Sequence, residues 1–73
     1  MYRLIISIQH AQRIALKKVP GTIQCEDMEL KYGVMFYKFY ILTEENKRFK
    51  VEVNAKTAKV LKVKELKSPD HDD

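Results

Sequence analysis

The sequence predicts an α+β fold: one N-terminal helix packed on an antiparallel meander sheet of about four strands. Three observations lead there. An apolar stripe of helical period opens the chain and stops at Pro20-Gly21, and a period of two takes over from Thr22. Every later connection is a short polar turn, too short for the crossover that parallel strands need.

The helix begins at Ser7, whose hydroxyl can accept from a free backbone N–H of the first turn. Ile8, Ala11, Ile14, Ala15 and Val19 then recur at spacings of three and four, while Gln9, Gln12, Arg13 and Lys17 lie off that stripe. Lys17 and Lys18 complement the helix dipole in the last turn, and Pro20-Gly21 ends the helix. Ala11 and Ala15 are small enough to let it sit close on the layer it covers.

Beyond Thr22, Ile23 and Cys25 share one face, and Met28, Leu30 and Tyr32 fall in the opposite phase. That change predicts a β-bulge or a break near Glu26-Asp27. Lys31-Tyr32-Gly33 marks a tight turn. The run "VMFYKFYILT", Val34 to Thr43, is apolar or aromatic on both faces, as a central strand is. Glu44 to Lys47 is a polar hairpin loop. In the next strand Phe49, Val51 and Val53 point inward and Arg48, Lys50 and Glu52 outward. "NAKTAK" turns the chain into the last strand, Val60 to Leu66, with Leu61 and Val63 on one side. Residues 1–6 read as either an added edge strand or a lead-in, residues 7–67 as the domain, and residues 68–73 as a disordered acidic tail.

A chain of 73 residues holds one domain, and folding hides only about 60% of its unfolded surface. Fourteen cations against ten acids give +4; three of the acids lie in the tail, so residues 1–69 carry fourteen against seven, a net +7. Such a body attracts nucleic acid, anionic surfaces or acidic proteins. One cysteine excludes an intrachain disulfide and a cysteine-based metal cluster. "LIISI" is too short to span a membrane and has neither the length nor the cleavage pattern of a signal peptide.

The runs "AQRIALKKVPGTI", "YKFYI" and "FKVEVNAKTAKVLKV", in that order, resemble the PepSY domain, named for the propeptides of thermolysin-like metallopeptidases and related cell-envelope proteins. The resemblance covers roughly residues 7–64. It implies a non-catalytic protein-binding module that inhibits or regulates a peptidase, with a metallopeptidase domain as partner and an extracytoplasmic or cell-envelope setting. It supplies no catalytic residue to carry over. The family commonly has an Asp-Ala-x-Thr-Gly pattern in the closing turn, where this chain has Asn54 and Ala58. Asn54 can still form an Asx turn through its side-chain oxygen. Ala58 implies either a different turn or a backbone strain of about 1 kcal/mol.

No catalytic or cofactor-binding constellation emerges from the residues themselves. His10 and His71 are separated by most of the chain, and neither has a fixed partner to ligate or catalyse with. Cys25, alternating with Ile23, reads as a buried structural thiol. Glu26, Asp27 and Glu29 read as a solvated turn, because adjacent strand residues point to opposite faces. Two glycines in total rule out a glycine-rich phosphate loop.

Two surfaces remain. Residues 47–67 carry eight cations against Glu52 and Glu65; with Lys38 and an exposed Tyr40 they offer the alternative of a small basic nucleic-acid-binding protein. The plainer reading is that the lysines keep an outer face and an edge soluble. The other surface follows from strand Val34–Thr43. If Tyr37, Phe39 and Ile41 face the helix, then Phe36, Tyr40 and Leu42 lie on a face that one helix cannot also cover. That face, with Lys38, Lys50 and Lys62 as a cationic rim, is the candidate interface for a peptidase domain or for a second copy in a homodimer. Folding of Met1–Ile6 back over it is the alternative.

Overall fold

The computed structural model describes residues 4–67. Helix α1 (Ile8–Lys18) is followed by strands β1 (Thr22–Lys31), β2 (Val34–Leu42), β3 (Arg48–Asn54) and β4 (Val60–Leu66). The strands form one antiparallel sheet in the order β1-β2-β3-β4, a meander in which each connection is a hairpin. The tail at residues 68–73, with His71, lies outside the described residues, as do residues 1–3 of the segment 1–6.

The Ser7 hydroxyl caps α1 by accepting from the backbone N–H of His10 at 3.1 Å. At the other end the Val19 N–H donates to Ala15, and Val19 itself leaves helical geometry at φ −133. Ala11, Ala15 and Val19 are buried against Tyr37, Phe39 and Ile41 of β2 and Val51 and Val53 of β3. The apolar stripe read from the sequence is therefore the buried face of the helix. Tyr37 and Phe39, two apart on one strand face, have rings 6.2 Å apart and 20° from parallel.

Gly21 lets the chain leave the helix tightly. A Cβ there would meet the Leu42 carbonyl oxygen at 2.3 Å and Ile41 Cγ2 at 2.9 Å. The end of β2 thus occupies the space that any other residue would need.

Three turns use left-handed backbone. Tyr32 (φ 53) and Gly33 (φ 77) form the two-residue loop between β1 and β2, with both central residues at positive φ as a type I′ turn requires. Between β2 and β3, Thr43 and Lys47 close the loop and Asn46 sits at φ 67. Between β3 and β4, Asn54 Oδ1 accepts from the N–H groups of Lys56 (2.8 Å) and Thr57 (3.0 Å), which is the Asx turn expected of it. Ala58 stands at φ 67, so of the two alternatives at this position it is the strained backbone that is found.

Register corrects four readings. The irregularity in β1 falls between Ile23 and Cys25, at Gln24, and not near Glu26-Asp27. One inserted residue reverses the phase, so Cys25 pairs with Tyr40 on the face away from the helix. Cys25 is consequently exposed, not a buried structural thiol. Glu26, Asp27 and Glu29 belong to β1 and not to a turn. In β4 a second irregularity makes Val60 the partner of Val53 and Val63 that of Val51, leaving Leu61 as the inserted residue instead of a face-mate of Val63.

The described part of the lead-in joins the helix side of the sheet. Ile5 and Ile6 pack against the core, and the Ile6 N–H donates to the Ala55 carbonyl at 2.7 Å.

Candidate protein-docking face

Helix α1 covers one face of the sheet, and among the described residues no other element covers the second. Partners in register share a face, so side chains on this open face form rows across the strands. One row runs Asp27–Lys38–Glu52–Lys62, with the charge changing sign at each strand. The next runs Cys25–Tyr40–Lys50–Lys64, and beyond it lies Thr22–Leu42–Arg48–Leu66. On the other side of the charged row, Glu29, Phe36 and Asn54 are neighbours. All six candidate interface residues, Phe36, Lys38, Tyr40, Leu42, Lys50 and Lys62, therefore lie on one uncovered face.

They are not equally available. Phe36 is only 5% exposed although no helix lies over it. Lys38, Tyr40, Leu42 and Lys50 are half-buried, and Lys62 is exposed. The Tyr40 that the sequence offers as exposed has the Lys38 ammonium 5.9 Å from its ring centroid, within the range of a cation–π contact. Lys38 also donates to Glu29 Oε2 at 2.5 Å, a diagonal contact between neighbouring rows. That hydrogen bond holds the Glu29 carboxyl below the usual carboxylate range and raises the Lys38 ammonium above the usual lysine range.

Two features of this surface escaped the sequence reading. Glu52, placed between Lys38 and Lys62, breaks up what otherwise counts as a basic patch. Most of the large exposed apolar side chains lie elsewhere, with Leu4 in the lead-in, Met28, Leu30 and Tyr32 on the β1–β2 hairpin and Leu61 and Val63 on β4; Val34 is on the open face, at the start of β2. Alternation in β1, counted from the bulge and not from Ile23, is the signal that places Met28 and Leu30 opposite Tyr37 and Met35.

His10 is exposed in the first turn of α1. Among the described residues no three His, Cys, Asp or Glu side chains are grouped to hold a metal ion, and no helix is long and apolar enough to cross a membrane.

A helix with two buried alanines, the Val19-Pro20-Gly21 stop, the aromatic second strand and the Asn54 turn thus occur in one fold. The family model "Peptidase propeptide and YPEB domain" (PepSY) matches residues 5–64. The chain belongs to the PepSY family. No curated protein and no solved structure matched. The PepSY match begins at Ile5, so it takes in the two lead-in residues that pack on the core and runs to Lys64 in β4. Membership makes the chain a regulatory module of the peptidase-propeptide type.

Proposed function

We propose that this PepSY domain binds a metallopeptidase domain through its open sheet face and so restrains or regulates that enzyme. The observation that carries the reading is the convergence of Lys38, Tyr40, Leu42, Lys50 and Lys62 on a sheet face that the helix leaves uncovered. Tyr40 and Leu42 offer half-buried apolar surface at the centre, and Phe36 supports them from within the layer. Arg48, Lys50, Lys62 and Lys64 on β3 and β4 give one side of the face a positive bias that steers an acidic partner.

The test is a mixture of the chain with a thermolysin-type metallopeptidase domain, read as inhibition of peptide hydrolysis. Inhibition that weakens roughly tenfold in the double variant Lys50→Glu, Lys62→Glu, and that falls with added salt, supports the assignment. Inhibition indifferent to both changes, or no inhibition, removes it.

The competing reading is a small nucleic-acid-binding protein, for which Arg48, Lys50, Lys62 and Lys64 speak. Against it stands the sign alternation along Asp27–Lys38–Glu52–Lys62, which sets carboxylates where a phosphate backbone would run. Titration with single-stranded and duplex oligonucleotides decides: tight binding with a steep salt slope would put nucleic acid in the place of the peptidase.

A further inference from the structure

Among the described residues the sheet has two outer edges, β1 and β4, and they differ in chemistry. Helix α1 packs on β2, β3 and β4 and reaches β1 through a single side-chain bond among the described residues, Gln12 Nε2–H to Glu26 Oε1 at 2.7 Å. Met28 and Leu30 consequently remain 44% and 67% exposed on the helix side of an edge strand. A long edge carrying apolar side chains is a template for a further strand.

Charge decides which strand fits. When β4 is laid antiparallel on a second β4 with like faces together, every register that overlaps five or more strand residues sets Lys62 against Lys64, or one of these lysines against itself. Like charges directly opposite oppose pairing. On β1 the register centred on Glu29 behaves differently. Asp27 then faces Lys31 of the second copy on the open side, and Met28 faces Leu30 of the second copy on the helix side; symmetry makes each contact twice. The like pair at the centre, Glu29 on Glu29, is softened because each carboxylate is already bonded to Lys38 of its own chain.

We propose that two copies of the chain associate by antiparallel pairing of their β1 edges about Glu29, giving an eight-stranded sheet that ends in the lysine-bearing β4 on both sides. The contact is isologous and closed, so assembly stops at two. Both open faces stay free, and the inference does not depend on the peptidase reading.

The test is the mass of the full chain by sedimentation equilibrium, up to millimolar protein. A dimer in concentration-dependent equilibrium is expected. Asp27→Lys alone, or Lys31→Asp alone, sets like charges opposite in both symmetry-related pairs and weakens the dimer roughly tenfold. The double variant Asp27→Lys, Lys31→Asp restores it. Asp27 and Lys31 are exposed, and because Asp27→Lys also sets a lysine opposite Lys38 within the chain, an unchanged far-UV circular dichroism spectrum is required of each variant. A monomer at every concentration overturns the proposal. So does a dimer indifferent to the single changes or one that the double change does not restore. Growth beyond two overturns it as well, and points to β1 of one copy on β4 of the next.

Discussion

The phenolic hydroxyl of Tyr37 donates to the backbone carbonyl of Ile6 at 2.7 Å, joining the central strand to the residue before the helix cap. With the Ile6 N–H bonded to Ala55, both backbone polar groups of Ile6 are satisfied by the sheet. The lead-in is thereby held at the point where the helix begins.

Removing that hydroxyl tests the tie. Tyr37→Phe keeps the ring and its stacking on Phe39 but leaves the Ile6 carbonyl without its partner. A loss of about 1 kcal/mol in chemical denaturation is expected. Faster hydrogen exchange at the Ile6 amide is the local signature. Unchanged exchange there would mean that Ala55 alone holds the segment.

Ala58 makes the opposite case, a residue whose removal strengthens the fold. At φ 67 its Cβ crowds the backbone, and glycine adopts that geometry without the crowding. Ala58→Gly is expected to stabilise by about 1 kcal/mol. Asn54→Ala, which strips the bonds to Lys56 and Thr57 from the same turn, costs about 1–2 kcal/mol. Both are read as shifts in the denaturant midpoint at constant slope.

Gly21 tolerates no such exchange. Gly21→Ala drives a methyl into the backbone carbonyl of Leu42, which cannot turn aside as a flexible side chain would. A destabilisation of roughly 1–3 kcal/mol is expected. A variant as stable as the parent would show that the exit from the helix shifts more easily than this contact implies.

The Glu29–Lys38 pair sets a pH window. Glu29 has its folded pKa lowered, chiefly by the hydrogen bond from Lys38, so its contribution is present above the unfolded carboxylate value of about 4.3 and is lost as pH falls through the folded value. Lys38 has its folded pKa raised, chiefly by the same bond, so its contribution is full below the unfolded value of about 10.4 and is lost as pH rises through the folded one. In Lys38→Met the Glu29 titration, followed by carbon NMR of the carboxyl, moves upward. An unmoved midpoint would contradict the pairing.

The fold was legible because its periodic signals are strong and local. Ile8, Ala11, Ile14 and Ala15 mark one helical face, and Tyr37, Phe39 and Ile41 mark one strand face. Family membership was legible in the order of those elements, and the Asn54 turn in the side chain that builds it. What failed was parity. Gln24 carries no chemical mark of being an inserted residue, yet it reverses every side chain that follows in β1 and brings Cys25 to the surface. Leu61 does the same in β4. The open face was legible as a set of residues but not as an environment. The burial of Phe36 depends on how its strand neighbours close around it, and strand alternation alone does not contain that information.

The helix comes first in the chain and packs mainly on β2, β3 and β4, strands that all follow it. An eleven-residue helix is marginal by itself in water. During synthesis it therefore leaves the ribosome before its support exists, while each hairpin can zip as soon as its second strand is out. Lasting helical order in the nascent chain should arrive late, after Val51 and Val53 have emerged to close over Ala11 and Ala15.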